Sequence, residues 1–253
     1  MSTLLPRVYL LDVEGTIAPV TLVSEQLFPY ARAHFRSFLE ENIADEGVLR
    51  DVLLLGAENR EEQDADAPHI LPAGMARDAE NASMSPAVAI PLALRYIFWL
   101  MDRDRKSTAL KSLQGKIWKA GFESGELKGT LFADVPAALA RWAALGQVAI
   151  YSSGSVEAQR LLFRYSTFGD LTGLIAGYFD TRTGAKAASA SYAAIAAAMS
   201  VEPGEVVFLS DVVRELDAAL EAGLETRLVV REGNAAVEEA HGHAAIATFD
   251  GMD

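Results

Sequence analysis

Asp12 and Glu14 stand one residue apart at the mouth of an apolar run, Val8 to Leu11, and directly before Gly15 and Thr16. A carboxylate at the end of a buried strand is costly unless it is paired or bound to a cation. Two of them in that place point to chemistry. Ser152, Ser153 and Gly154 follow the apolar run QVAIY, with Ser155 placed to cap the next helix. Hydroxyls and backbone N–H groups at a helix start make a phosphate cradle. Ser210 and Asp211 follow EVVFL, with Glu215 and Asp217 one turn further on, and Lys186 lies in DTRTGAKAAS ahead of an Ala-rich helical segment. Singly, each cluster reads as ordinary structure: a strand end, a serine-rich turn, a helix cap, a solvated lysine. In this order they read as one site. Three carboxylates in one crevice could not all ionise without a cation, and hard oxygen ligands suit Mg2+. A lysine beside them would offset the remaining charge and hold a phosphate. The chemistry is phosphoryl transfer, with Asp12 as candidate nucleophile and Glu14 placed to handle the proton.

The elements that must position these residues are short apolar runs: RVYLL (7–11), QVAIY (147–151), EVVFL (205–209), TRLVV (226–230) and a weaker AIATF (245–249). They are near-continuous rather than alternating, which suits strands of a parallel sheet covered on both faces. Helical patterns sit between the later runs. DVPAALARWAALG opens with Asp134 as N-cap and stops at Gly146, and DVVRELDAALEAG runs from Asp211 to Gly223. Strand alternating with helix predicts an open α/β sheet of Rossmann-like type with helices on both faces. Between residue 11 and residue 147 the sequence reads as helix instead, with a polar stretch near 57–86 separating two helix pairs. The chain thus reads as a core of residues 1–17 and 130–253, split by an all-helical cap of residues 18–129 directly after the first strand. An insertion there is expected to overhang the strands' carboxyl ends, where open α/β sheets bind ligands.

The bulk properties narrow the function classes. The chain has 253 residues, a net charge of −13 and no cysteine. The acidic balance argues against nucleic acid and against anionic membrane surfaces. Disulfides, thiolate metal sites and cysteine nucleophiles are excluded. The apolar stretch AVAIPLALRYIFWLM carries Pro91 and Arg95 and falls short of the roughly 18 residues a membrane span needs. The N-terminal apolar run is short and broken by Asp12, so no signal peptide is expected and a cytoplasmic location is. Nothing demands an oligomer, and a monomer is expected. His241 and His243 form a His-x-His pair without an evident third ligand, and His34 and His69 read as structural or surface residues. Trp99, Trp118 and Trp142 lie on apolar helical faces and read as packing.

The four clusters resemble the four motifs of the haloacid dehalogenase-like phosphatase superfamily: an aspartate with a second acid two residues on, Ser/Thr after the next core strand, a lysine, then an acid. Glu14 stands where that superfamily usually has aspartate. DVEGT followed by LFPYA (27–31), together with DRKSTALKSLQGKIW, FADVPAAL, IYSSGSVEAQRLLF, YFDT, FLSDVVRELDAALEAG and VVREGN, is similar to the enolase-phosphatases, or acireductone synthases, of methionine salvage. The resemblance implies a Mg2+ enzyme that enolises 2,3-diketo-5-methylthiopentyl-1-phosphate and then removes its phosphate. Asp12 would be nucleophile and metal ligand. Glu14 would serve the metal through its carbonyl or carboxylate and act as general acid/base. Ser152, Ser153 and Gly154 would bind the phosphate, Lys186 would steady it, and Asp211 would hold Mg2+. The enolisation base stays open between Glu14 and a cap residue, and Lys111, Gln114, Lys116 and Trp118 are cap residues that could face the substrate. Two departures stand out: Ile17-Ala18 replaces expected hydroxyl residues, and Glu232 an expected proline. Competing readings are a Mg2+ phosphatase acting on another small ester and a non-catalytic module that keeps the fold.

Overall fold

The computed structural model describes residues 6–70, 85–237 and 242–252. In chain order its principal elements are β1 (Val8–Leu11), α1 (Phe28–Asn42), α2 (Glu46–Glu61), α3 (Pro86–Asp102), α4 (Thr108–Ser124), α5 (Val135–Leu145), β2 (Gln147–Tyr151), α6 (Val156–Arg164), β3 (Gly177–Phe179), α7 (Ser189–Ala198), β4 (Val206–Ser210), α8 (Val213–Glu221), β5 (Glu225–Val229) and β6 (Ala244–Ile246). The chain divides into two compact units, residues 1–25 with 122–253 and residues 26–121. The boundaries read from the sequence, 17/18 and 129/130, lie eight residues from these on either side. Phe122 stacks on Tyr165 at 6.0 Å, and Gly129 donates its N–H to the Tyr165 carbonyl. Those contacts tie residues 122–129 to the larger unit. Among the described residues no helix is long and apolar enough to cross a membrane.

The larger unit is a parallel sheet in the order β3-β2-β1-β4-β5-β6. The chain winds outward from β1 through β2 to β3, then returns to place β4 on the other side of β1. The switch in direction therefore falls between β1 and β4, where a crevice opens beyond their carboxyl ends. Leu11 lies opposite Ile150 on one side and Leu209 on the other, so Asp12 emerges level with the ends of both neighbours. All of β1 is excluded from solvent. Val8 and Leu10 face a core with Tyr192, Ile195, Phe208 and Leu216. On the opposite face Tyr9 stacks on Trp142 of α5, centroid to centroid 4.8 Å, and Trp142 meets Phe249 at 5.1 Å. Replacing this fully buried indole, Trp142→Ala, is expected to cost about 3–5 kcal/mol. Thermal unfolding should show it as a fall in Tm of roughly 6–20 °C.

Three sequence expectations change. The strand β3 was not among the predicted runs, because three residues beginning with glycine carry no periodic signal. Asp134 precedes α5 but does not cap it; its carboxylate instead accepts from Arg231 Nη1 at 2.9 Å and from Phe249 N at 2.7 Å. The last helix begins at Val213, so Asp211 lies before it and makes no cap bond. Ser155, by contrast, does cap α6, accepting from Ala158 N at 3.2 Å.

The smaller unit is helical throughout its described elements, α1 to α4. Asp45 caps α2 by accepting from Gly47 N and Val48 N, and α2 continues to Glu61, into the stretch read as a polar separator. Residues 71–84 of that stretch lie outside the described residues. Ala31, Phe35 and Leu39 form the buried stripe of α1, and Phe35 meets Phe98 of α3 edge to face. Two of the candidate substrate-facing side chains are engaged within this unit. Lys116 pairs with Asp51, which also accepts from Ser112 Oγ, and Trp118 Nε1 donates to the Leu27 carbonyl at 2.8 Å. Gln114 is buried. His34 Nδ1 donates to the Tyr30 carbonyl and the ring stacks on the Tyr30 ring, a structural role.

Candidate active site

The turn after β1 is built around backbone geometry that only a small residue tolerates. The Val13 carbonyl accepts from Ile17 N and Ala18 N, and Gly15 N donates to the Ala18 carbonyl at 2.8 Å. Gly15 has φ +71°, and a Cβ there would lie 2.1 Å from Asp211 Oδ2. The glycine thus lets the β1 turn approach the carboxylate that follows β4. Ile17 and Ala18, which replace expected hydroxyl residues, are fully buried.

Asp12 is the centre of the crevice and is only 5% exposed. Its Oδ1 accepts from Val13 N at 2.8 Å and from Lys186 Nζ at 2.6 Å, and its Oδ2 accepts from Ser210 Oγ at 3.3 Å. Lys186 Nζ also reaches Glu215 Oε2 at 2.6 Å, and Ser210 Oγ lies 3.3 Å from the same oxygen. Tyr192 Oη donates to the Lys186 carbonyl at 2.6 Å, which fixes the backbone from which the lysine reaches in. One ammonium therefore bridges the acid after β1 and an acid in the first turn of α8. Glu215 and Ser210 are members of this cluster that the sequence reading did not assign. Glu215 had been visible as a second acid one turn beyond Asp211, but its partner Lys186 lies on a different loop.

The Ser152–Gly154 turn stands at the end of β2, one strand over from Asp12. Ser152 is buried; its N–H donates to the Phe179 carbonyl at 3.2 Å, and its Oγ accepts from Gly154 N at 3.1 Å. Gln159 of α6 secures the turn from below, donating through Nε2 to the carbonyls of Gly154 and Phe179 at 2.8 and 2.9 Å. Asp180 accepts from Val156 N at the start of α6 and from Arg182. Ser153 is exposed at the tip. The structure thus gathers Asp12, Glu14, Lys186 and Asp211, and sets Ser152, Ser153 and Gly154 on the adjacent strand end.

Burial dominates the electrostatics of the crevice, and like charge adds to it. Burial pushes the Asp211 carboxyl up to about 6, and the Asp12 charge adds to the effect. Burial, then Asp12, also raises Glu14, and burial followed by Asp12 raises Glu215. For Lys186, burial works against the ammonium, yet Asp12 and Glu215 outweigh it and hold its pKa above the usual lysine value. Four carboxylates share one ammonium.

Residues 6–223 match the model of the haloacid dehalogenase-like hydrolases. The enolase-phosphatase E1 of Synechococcus elongatus is 52% identical over 90% of this chain and 90% of its own length. That of Danio rerio is 42% identical over 96% and 92%. The chain belongs to the enolase-phosphatase family. A solved relative, the UTR4 protein of Saccharomyces cerevisiae, is 32% identical, covers 98% of this chain and 100% of its own, and superposes with a TM-score of 0.76.

For an enolase-phosphatase, the charge excess at the β1–β4 crevice has a measurable consequence in the folded protein itself. An acid whose folded pKa is raised binds its proton more tightly folded than unfolded. Metal-free protein should therefore gain stability as pH falls from 8 through about 6 and toward the unfolded aspartate value near 4. Asp211→Asn mimics the protonated form. In chelator it is expected to raise stability at pH 8 by about 1–2 kcal/mol, discounted for solvent screening, with the gain vanishing by about pH 4. Thermal melts across that range check the sign.

His243 takes no part in this crevice. It is buried, with Nδ1 2.8 Å from Thr226 Oγ1 and Nε2 3.0 Å from Asp217 Oδ1, a satisfied structural histidine. His241 lies outside the described residues. Among the described residues no group of three or more His, Asp or Glu side chains is arranged to hold a metal ion by itself.

Proposed function

We propose that the chain is a Mg2+-dependent enolase-phosphatase. It would convert 2,3-diketo-5-methylthiopentyl-1-phosphate of methionine salvage to phosphate and the acireductone 1,2-dihydroxy-3-keto-5-methylthiopentene. The observation that carries the reading is the Asp12–Lys186–Glu215 cluster at the β1–β4 switch point, with Glu14 and Asp211 beside it. The names of the relatives, enolase-phosphatase E1, support the pair of activities. A cytoplasmic monomer acting on a small molecule, without nucleic acid or membrane, belongs to the same proposal.

The residues fit a magnesium ion. Asp12, Glu14, Asp211 and Glu215 place four negative charges around one lysine, and their raised proton affinities mark a site short of positive charge. Asp12 and Asp211 would hold the ion by carboxylate oxygens. The main-chain carbonyl of Glu14 would be the third ligand, leaving its carboxylate for proton transfer. Bound there, Mg2+ supplies charge neutralisation for the phosphate and for the enolate oxygen.

The product has its double bond between C1 and C2, so the first step removes a proton from C1, forms the C1–C2 double bond and moves the carbonyl pair onto the C2 oxygen, which takes a proton from solvent to complete the enol. Glu14 is the candidate base, and its raised pKa brings it toward the range where a carboxylate gives and takes protons. In the second step an Asp12 oxygen attacks phosphorus, the bond from phosphorus to the C1 oxygen breaks, and Glu14 protonates that oxygen. Water then attacks phosphorus and gives its proton to Glu14, the bond from phosphorus to the Asp12 oxygen breaks, phosphate leaves, and Glu14 releases the proton to solvent. Lys186 balances charge on Asp12 and the phosphoryl group throughout. Ser152, Ser153 and Gly154 offer hydroxyls and N–H groups to the non-reacting phosphate oxygens.

One anaerobic time course tests this, following enol absorbance and free phosphate together with and without Mg2+. The expected result is enol absorbance rising with or ahead of phosphate, both dependent on Mg2+. Phosphate release from simple esters with the diketone untouched would make the protein a phosphatase of another ester. No turnover of either would leave a non-catalytic module.

A further inference from the structure

The turn that carries Glu14 is held from outside by the segment that follows β5. Asn234 Nδ2 donates to the Gly15 carbonyl at 2.9 Å, and Arg231 Nε donates to the Thr16 carbonyl at 3.2 Å. Two consecutive carbonyls of the turn thus meet donors more than 200 residues away in the chain. The inner side of the same turn is satisfied by its own backbone, through the Val13 and Ala18 carbonyls. Its remaining side faces Asp211, close enough that Gly15 cannot carry a Cβ. The turn is therefore pinned between Asp211 and the Arg231–Asn234 pair.

Arg231 is built for this post. Its guanidinium lies between the rings of Phe132 and Phe249, at 4.6 and 4.5 Å from their centroids. Its Nη1 pairs with Asp134 Oδ2 at 2.9 Å and also donates to the Ala247 carbonyl at 3.0 Å. Both members of the pair are largely buried, which fixes the fork in one orientation. That explains why Asp134 is not a helix cap: its carboxylate is committed to Arg231. Asn234 Nδ2 also lies 3.4 Å from the Val229 carbonyl, tying the donor to the end of β5. Asn234 Oδ1 and Arg231 Nη2 are buried and have no hydrogen-bond partner among the described residues. An apolar side chain would avoid leaving those atoms unpaired, so the gain lies in the donors that face the turn.

We propose that Asn234 and Arg231 are positioning residues that set the reach of the Glu14 carboxyl by clamping the Gly15 and Thr16 carbonyls. The proposal rests on the reading of Glu14 as acid/base. Loss of one donor frees the Gly15–Thr16 peptide to rotate and moves Glu14 relative to Asp12 without touching substrate. A displacement on the scale of an ångström at a reacting group lowers turnover by about 10- to 100-fold.

The test is Asn234→Leu, similar in size and without the donor, with Arg231→Lys as a second variant should the first fail to fold. Turnover of the diketone phosphate and amide hydrogen exchange of residues 13–18 are measured in the Mg2+-loaded enzyme. The expected result is kcat lowered about 10- to 100-fold, KM within about twofold, Tm near that of the parent, and faster exchange in residues 13–18. Parental kcat, a change confined to KM, or a loss of activity that follows the unfolded fraction each overturns the proposal. So does unchanged exchange, and that readout holds even if the parent protein turns out inactive toward the diketone, which would be a failure of the functional reading alone.

Discussion

Asp12→Asn is expected to abolish phosphate release, lowering the rate by at least about 10³-fold, while the protein stays folded. Asparagine keeps the shape of the side chain, and its carbonyl oxygen can still accept from Val13 N or Lys186 Nζ. What it lacks is a carboxylate oxygen able to attack phosphorus. Stability should not fall with the rate. The Asp12 charge adds to burial in raising the proton affinity of Glu14, Asp211 and Glu215, so removing it relieves repulsion on the three that remain. Lys186 loses one anionic partner and keeps Glu215. The check is a pair of measurements on one preparation: phosphate release in the presence of Mg2+, and a thermal melt in chelator. A rate within tenfold of the parent removes Asp12 as nucleophile. A rate lost together with the fold would show only that the Asp12–Lys186 pair supports the fold, and Asp12→Glu, which keeps the charge but misplaces it, then separates the two.

The gathering of the crevice residues is legible in the sequence because they sit at strand ends. Asp12, Ser152 and Asp211 each follow a run of apolar residues long enough to be recognised, and doubly wound sheets bring such ends together. Lys186 was legible only by its order among the other clusters, since a lysine in a loop carries no local signal. Glu215 shows no role in the sequence, because the bond that gives it one crosses to that same loop. The strand β3 escaped because three residues with a leading glycine show neither length nor alternation. Asp134 departs from its local pattern for a different reason. Local pattern puts an acid before a helix to good use as a cap, but a buried arginine from the far end of the chain offers a stronger, charge-assisted partner. Arg231 and Asn234 were visible within VVREGN only as part of a resemblance; nothing in their spacing says that they reach back to Gly15 and Thr16. Contacts of that kind depend on the fold as a whole.

Glu14→Gln is expected to lower phosphate release by about 10²- to 10⁴-fold, the usual worth of a positioned acid/base. Glutamine preserves the main-chain carbonyl proposed for Mg2+, so metal binding should survive and the loss should lie in kcat. The two steps then report separately on one side chain. A carboxylate that takes the C1 proton in the first step is left protonated, the form needed to protonate the leaving oxygen in the second. Burial and the Asp12 charge raise its pKa, which favours holding that proton between the steps. If Glu14 serves both, the variant loses enol absorbance and phosphate release together. An intact enol signal with slowed phosphate release assigns the first proton transfer to another residue and keeps Glu14 as the acid of the second. Phosphate release at the parental rate removes the Glu14 carboxylate from the reaction altogether, as proton carrier and as metal ligand alike.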